Sequence, residues 1–214
     1  MSGKFIVFEG GEGTGKTTQI KLLEEQLKNA GYQTLLTREP GGTDCPIAEK
    51  IRTLLKDPAN KEMMPETELF LFCASRAQHV KQIIRPKMDQ GTIVICDRFQ
   101  GSSFAYQHFG RGLFDLNKVK EINGFATGGL NPDLTILLDI DPKIGLARVE
   151  NGQDRNNLKD DRFDAEKIEF HEKVRQGYLS LAKTEVNWVV IDADDTIENI
   201  QNKIWQEIKK ILMV

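Results

Sequence analysis

The chain has 214 residues, 39% of them hydrophobic and 29% charged, with a formal net charge of −3. That length and apolar content suit one α/β domain spanning 1–214 with a sizeable core, and they exclude a disordered or fibrous chain. The slightly acidic balance argues against a nucleic-acid surface, and apolar runs no longer than a strand leave nothing to span a membrane.

Met1-Ser2-Gly3-Lys4 leads directly into Phe5-Ile6-Val7-Phe8, which leaves no room for a secretory apolar region, so a cytoplasmic location is expected. Phe5 to Phe8 reads as a fully buried strand. It runs into GGEGTGKT, Gly10 to Thr17, which fits the phosphate-binding pattern G-x-x-x-x-G-K-[ST] in full. Gly11, Gly13 and Gly15 can take backbone angles closed to other residues, so successive N–H groups can turn inward around an anion. Lys16 can reach the β- and γ-phosphates of a nucleotide, and the Thr17 hydroxyl is placed to ligate Mg²⁺. The nucleotide donor is therefore expected on Gly10, Gly11, Glu12, Gly13, Thr14, Gly15, Lys16, Thr17 and Thr18. A dinucleotide fingerprint does not fit, because Glu12 stands where a glycine is required. Ile20, Leu23, Leu27 and Ala30 follow at helical spacing, and Gly31 supplies a stop.

Strand-like runs then alternate with helical ones: Thr34 to Thr37, Thr92 to Cys96, Leu134 to Leu138 and Trp188 to Ile191. Continuous apolar strands separated by helices predict a five-stranded parallel sheet covered on both faces, a three-layer α/β/α fold. Its ligands should gather at the carboxyl ends of the strands. After the second strand comes Arg38-Glu39-Pro40-Gly41-Gly42, a rigid turn with two charges. A helix starting near Pro65 carries Phe72 and Arg76 on one face, a pair suited to a flat heterocycle, although Leu69, Phe70, Phe72 and Cys73 fit a core stripe equally well. The third strand ends in Asp97-Arg98: the acid can orient Mg²⁺ through water, and the arginine can grip a second phosphate with a bidentate fork. Ser102, Ser103, Tyr106 and Gln107 lie close behind, and the fourth strand ends at Asp139-Ile140-Asp141-Pro142.

From Arg148 to Arg162 the chain reads RVENGQDRNNLKDDR, a solvated connector or a lid whose Arg148, Arg155 and Arg162 could close over phosphates. The last helix has an apolar stripe at Ile197, Ile200, Ile204, Ile208 and Ile211. His79, His108 and His171 have no ligand spacing. Cys45, Cys73 and Cys96 are odd in number and far apart, so they read as buried or free thiols in a reducing cytoplasm rather than as a disulfide. The N-K-x-D and D-x-x-G strings of a guanine-nucleotide switch do not occur.

FEGGEGTGKTTQ, REPGGT, the Phe72…Arg76 helix, DRF followed by SSFAYQ, and PDLTILLD stand in the order in which thymidylate kinases have them, and the chain resembles that family over nearly its whole length. The resemblance implies a nucleoside-monophosphate kinase fold with a mobile lid at about 148–162. It also implies a cytoplasmic homodimer that transfers the ATP γ-phosphate to thymidine monophosphate with Mg²⁺ on Thr17 and Asp97. Phe72 would then stack on thymine and Arg76 would bond its carbonyl edge. Ser102, Ser103 and Gln107 would line the base pocket, and Tyr106 would lie beneath the deoxyribose. Arg38, beside Glu39, would hold the acceptor phosphate together with Arg98, while Glu12 would meet the sugar 3′-hydroxyl. Some members carry an arginine inside the phosphate loop. Gly13 resembles the other type, in which the lid supplies that charge, so Lys16, Arg98, Arg155 and Arg148 are the expected catalytic cations, Arg155 ahead of Arg148. Lys16→Ala should lower turnover about a hundredfold or more, measured as ADP release. Near-normal turnover would remove Lys16 from this role.

Overall fold

The computed structural model describes residues 3–113, 115–152, 163 and 166–212. Five parallel strands form one sheet in the order β2-β3-β1-β4-β5: β1 Phe5–Glu9, β2 Thr34–Arg38, β3 Ile93–Asp97, β4 Leu134–Asp139 and β5 Trp188–Asp192. All five strands expected from the sequence are present, with ends that differ by one residue at most. The fold is the three-layer α/β/α arrangement of phosphate-loop monophosphate kinases.

The central strand explains the continuous apolar runs. Alternate residues of a strand face opposite ways, and here both faces are covered. Ile6 and Phe8 of β1 pack with Ile95, Ile136 and Leu138 against Ile20, Leu23 and Leu27 of α1 Lys16–Asn29, and against Ile200, Ile204 and Ile208 of α9 Ile197–Leu212. Phe5 and Val7 face the other layer, meeting Val94, Cys96, Val80, Ile84 and Phe99. The edge strands β2 and β5 are only partly buried. In the final helix the expected stripe holds at Ile200, Ile204 and Ile208, whereas Ile197 is exposed.

The second layer is built from α2 Pro46–Lys56, α3 Pro65–His79, α5 Gln100–Ser103, α6 Leu116–Thr127 and α8 Ile168–Thr184. Short α4 Arg85–Asp89 continues α3 through a π-helical turn, Val80–Ile84, and α7 Pro142–Glu150 follows β4. A second π-helical stretch, Phe104–Gly110, extends α5. Such wide turns recur at functional sites, and this one carries Tyr106 and Gln107. Leu23→Ala, which truncates a side chain with no solvent exposure, should cost about 2–5 kcal/mol of stability in urea unfolding. A smaller loss would mean that α1 relaxes onto the sheet.

Candidate active site

Strand register sets the site. β1 lies between β3 and β4, and Phe8 stands opposite Asp97, so the phosphate loop and Arg98 leave the sheet side by side. Arg98 adopts φ +69, and its backbone N–H donates to the Phe8 carbonyl at 2.8 Å. That unusual backbone turns its side chain toward the loop. Within the loop, Lys16 Nζ donates to the carbonyls of Gly10 and Gly11 at 3.2 and 2.8 Å. Gly15, in the left-handed region, precedes α1, whose N-terminus has neither a side-chain cap nor an acid in its first turn. Its N–H groups and helix dipole are therefore directed at an anion.

Gly13, at φ +66, passes so close to α7 that an added Cβ would sit 2.0 Å from the Gly145 carbonyl oxygen. Gly145 in turn has the Glu12 carbonyl 2.3 Å from where its own Cβ would be. Two glycines thus let the helix after β4 rest its backbone on the loop, and an arginine at 13 would require that helix to shift.

A cavity of about 650 Å³ opens over these strand ends, a size suited to a nucleotide-sized ligand. Glu12, Lys16 and Thr17 line it from the loop, and Arg38 and Glu39 from the end of β2. Phe72 and Arg76 come from α3, Asp97 and Arg98 from β3, and Ser102, Tyr106 and Gln107 from the helix that follows. Lys21, Arg52 and Lys56 add cations that the sequence had not singled out. The helix α3 resolves its two readings by position: Leu69 and Cys73 are buried, Phe70 is exposed, and Phe72 is half-buried on the cavity wall.

Buried carboxylates stand behind the cavity's donors. Arg98 Nη2 donates to Glu12 Oε1 at 2.6 Å, and Tyr106 Oη donates to the same oxygen at 2.8 Å. Burial alone would raise the Glu12 pKa, but Arg98, Lys16 and the Tyr106 hydroxyl outweigh it and hold it at about 2. Arg98 Nη1 also reaches the Gly10 carbonyl, Ser102 Oγ and Tyr178 Oη at 2.9, 3.3 and 3.1 Å. Glu9, fully buried, accepts from the backbone of Phe99 and Ser102 and from the hydroxyls of Ser102 and Tyr178. Burial pushes its pKa up despite these donors. Arg76, only 1% exposed, donates through Nε to Glu39 Oε2 at 2.7 Å, through Nη1 to Ser103 and Asn123, and through Nη2 to the Phe99 carbonyl at 2.9 Å. Glu39 Oε1 is joined to His79 Nδ1 at 3.0 Å, whose Nε2 lies 2.8 Å from Thr37 Oγ1.

The site thus brings together most of the side chains expected from the sequence, with some in different surroundings. Ser103 lies beneath Arg76 rather than on the cavity wall. Arg38 is exposed and forks onto Glu49 at 3.0 Å, and Thr18 is exposed. Arg148, at the end of α7, donates to the Ala193 carbonyl and to Asp194, away from the cavity lining. Arg155, Arg162 and the lid segment 153–162 lie outside the described residues. Asp97 and Thr17 share the cavity, and Asp97 Oδ1 is buried without a hydrogen-bond partner among the described residues. A carboxylate oxygen so placed, with a hydroxyl nearby, fits a hydrated divalent cation held mainly by water and substrate phosphates. Among the described residues no group of three or more His, Cys, Asp or Glu could hold such an ion by itself.

The model of the family described as Thymidylate kinase matches residues 8–204. The chain belongs to the thymidylate kinase family. It is 48% identical over 206 residues to the thymidylate kinase of Syntrophotalea carbinolica, covering 94% of this chain and 93% of that protein. The thymidylate kinase of Geobacter sulfurreducens is 48% identical over 92% of each chain, and that of an Exiguobacterium species is 46% identical over 95% of this chain and 93% of its own. As a member of this family the protein is a phosphotransferase.

Among the residues that brace the cavity walls, Glu9, His79 and Tyr178 were not read as such from the sequence. Glu9 had one available signal, an acid closing an otherwise apolar central strand. His79 and Tyr178 had none, because their helical spacing is that of ordinary core residues. The Glu12 shift has a measurable consequence. A carboxylate whose pKa falls from 4.5 to about 2 on folding contributes about 3 kcal/mol above pH 4.5. That contribution is lost as pH falls toward the folded value, with about 2 kcal/mol gone by pH 3. Urea unfolding between pH 6 and pH 3 should therefore show a shallower loss of stability in Glu12→Gln than in the unaltered chain. Parallel curves would mean that Glu12 is not held by its cationic neighbours.

Proposed function

We propose that this chain transfers the γ-phosphate of ATP to thymidine monophosphate, giving dTDP and ADP, in dTTP synthesis for DNA replication. The observation that carries the reading is one cavity lined both by Lys16 of the phosphate loop and by Phe72 and Arg76 of α3. ATP phosphates lie along Gly10 to Thr18, with the loop N–H groups and the α1 dipole as the anion cradle. Phe72 stacks on the thymine ring. Arg76 has four of its five N–H groups committed to protein acceptors, so it approaches the base with a fixed orientation and one N–H on Nη2 to offer.

Arg98 and Arg38 hold the acceptor phosphate. Glu12, kept ionised by Arg98, accepts from the sugar 3′-hydroxyl. Tyr106, bonded to Glu12, floors the deoxyribose and crowds the 2′ position. The acceptor phosphate is already anionic at neutral pH, so no general base is required and the work is positioning and charge neutralisation. Mg²⁺ arriving with ATP fits the Thr17 hydroxyl and, through water, Asp97, and when bound it offsets the charge that develops on the transferred group. Lys16 and the arginines of the 148–162 lid supply the remaining positive charge, with Arg155 reaching the phosphates ahead of Arg148. The reading takes 1–214 as one domain, acting in the cytoplasm as a homodimer. Among the described residues no helix is long and apolar enough to cross a membrane.

ADP release with thymidine, deoxyuridine, guanosine and adenosine monophosphates as acceptors tests the assignment. Thymidine monophosphate should rank first in kcat/KM. A purine monophosphate in first place would overturn the base-pocket assignment.

A further inference from the structure

Gln107 lines the cavity while remaining only 1% exposed. Its Nε2 donates to Glu68 Oε1 at 2.9 Å. A carboxylate only accepts hydrogen bonds, so this contact decides which end of the amide is nitrogen. Glu68 is itself held in place. It is 1% exposed, and Arg111 lies 3.5 Å from each of its oxygens. Arg111 is anchored in turn by Glu166 at 2.5 Å and by the Phe170 ring, whose centroid is 4.7 Å from the guanidinium carbon. Glu68, Phe72 and Arg76 follow one another at intervals of four on α3, so the residue behind Gln107 and the two proposed base contacts share a helix face.

Nε2 is committed to Glu68, which leaves Oε1 as the free end of the amide, and Gln107 and Arg76 line the same cavity. We infer that Glu68 is a specificity-positioning residue: it holds Gln107 carbonyl-first, so that Gln107 accepts from a ring N–H while Arg76 donates to the carbonyl beside it, and a bare ring nitrogen flanked by an amine is rejected. The inference rests on the acceptor being a pyrimidine monophosphate bound as proposed above. It separates thymine and uracil from cytosine, which has the same ring size but the inverted donor pattern. A site built to hydrogen-bond one pattern leaves its own groups unpaired when offered the other.

Glu68→Gln tests the assignment. Its amide offers a donor as well as an acceptor, so it no longer fixes the Gln107 amide and lets the Gln107 nitrogen turn toward the cavity. The ratio of kcat/KM for thymidine monophosphate to that for deoxycytidine monophosphate should then fall about a hundredfold. The thymidine-to-deoxyuridine ratio and the KM for ATP should stay unchanged, because neither the 5-methyl group nor the donor nucleotide is read by this pair. A uniform loss across the three pyrimidines would overturn the inference, since it would make Glu68 merely structural. If Glu68→Gln does not fold, the double variant Glu68→Gln, Gln107→Glu keeps the charge and the hydrogen bond and returns an acceptor to the cavity. It should favour thymidine over deoxycytidine monophosphate, and a loss of that preference would likewise refute the role. Failure of the unaltered chain to phosphorylate thymidine monophosphate would count against the acceptor assignment and not against Glu68 alone.

Discussion

The guanidinium of Arg98 is the point on which the site depends. It is charged and largely buried, so its desolvation must be offset by partners of good geometry. Glu12 supplies the opposite charge, and burial alone would lower the arginine's pKa were it not for that neighbour, which leaves it well above the ordinary value. The remaining donors reach the Gly10 carbonyl, Ser102 and Tyr178. One side chain therefore ties the phosphate loop after β1, the end of β3, the start of α5 and the middle of α8. The phosphate loop and the facing wall of the cavity are held at a set separation by it.

The same device recurs around the cavity. Four polar side chains of the cavity wall have a carboxylate behind them: Glu12 behind Arg98, Glu39 behind Arg76, Glu68 behind Gln107, and Glu9 behind Ser102. An acid in that place does two things. It compensates the cost of burying the donor, and it removes rotational freedom before substrate arrives. In phosphoryl transfer, where little covalent chemistry falls to the protein, such preorganisation accounts for most of what a site can contribute. It also explains why a chain with a slightly acidic balance can line a phosphate site with so many cations. The balancing acids lie in the layer beneath.

Much of this was legible from residue order. The five strands, the phosphate loop and the Asp97-Arg98 pair followed from apolar runs ending in polar clusters, because a doubly covered parallel sheet leaves its strand ends as the place for such groups. The ambiguity at Phe72 and Arg76 could not be resolved that way. A period of four puts both on one face of α3, yet spacing does not say whether that face meets a cavity or a core. Arg76 turned out to meet both, buried against Glu39, Ser103 and Asn123 while one N–H remains available. Ser103 was expected on the cavity wall and lies under Arg76 instead, since the start of the helix after β3 turns it inward.

The sequence by itself determined the layers, the reaction class and most of the side chains that meet at the cavity, because glycine geometry, strand burial and helical spacing are local constraints written in adjacent residues. Only the tertiary structure decided how those contacts are aimed. Glu9, Glu68, His79 and Tyr178 come from three elements far apart in the chain, β1, α3 and α8, and act through one or two intervening side chains. The docking of Gly145 on Gly13 likewise joins residues 132 positions apart in the chain. No local pattern encodes such meetings, because they depend on strand order and helix placement rather than on neighbouring residues.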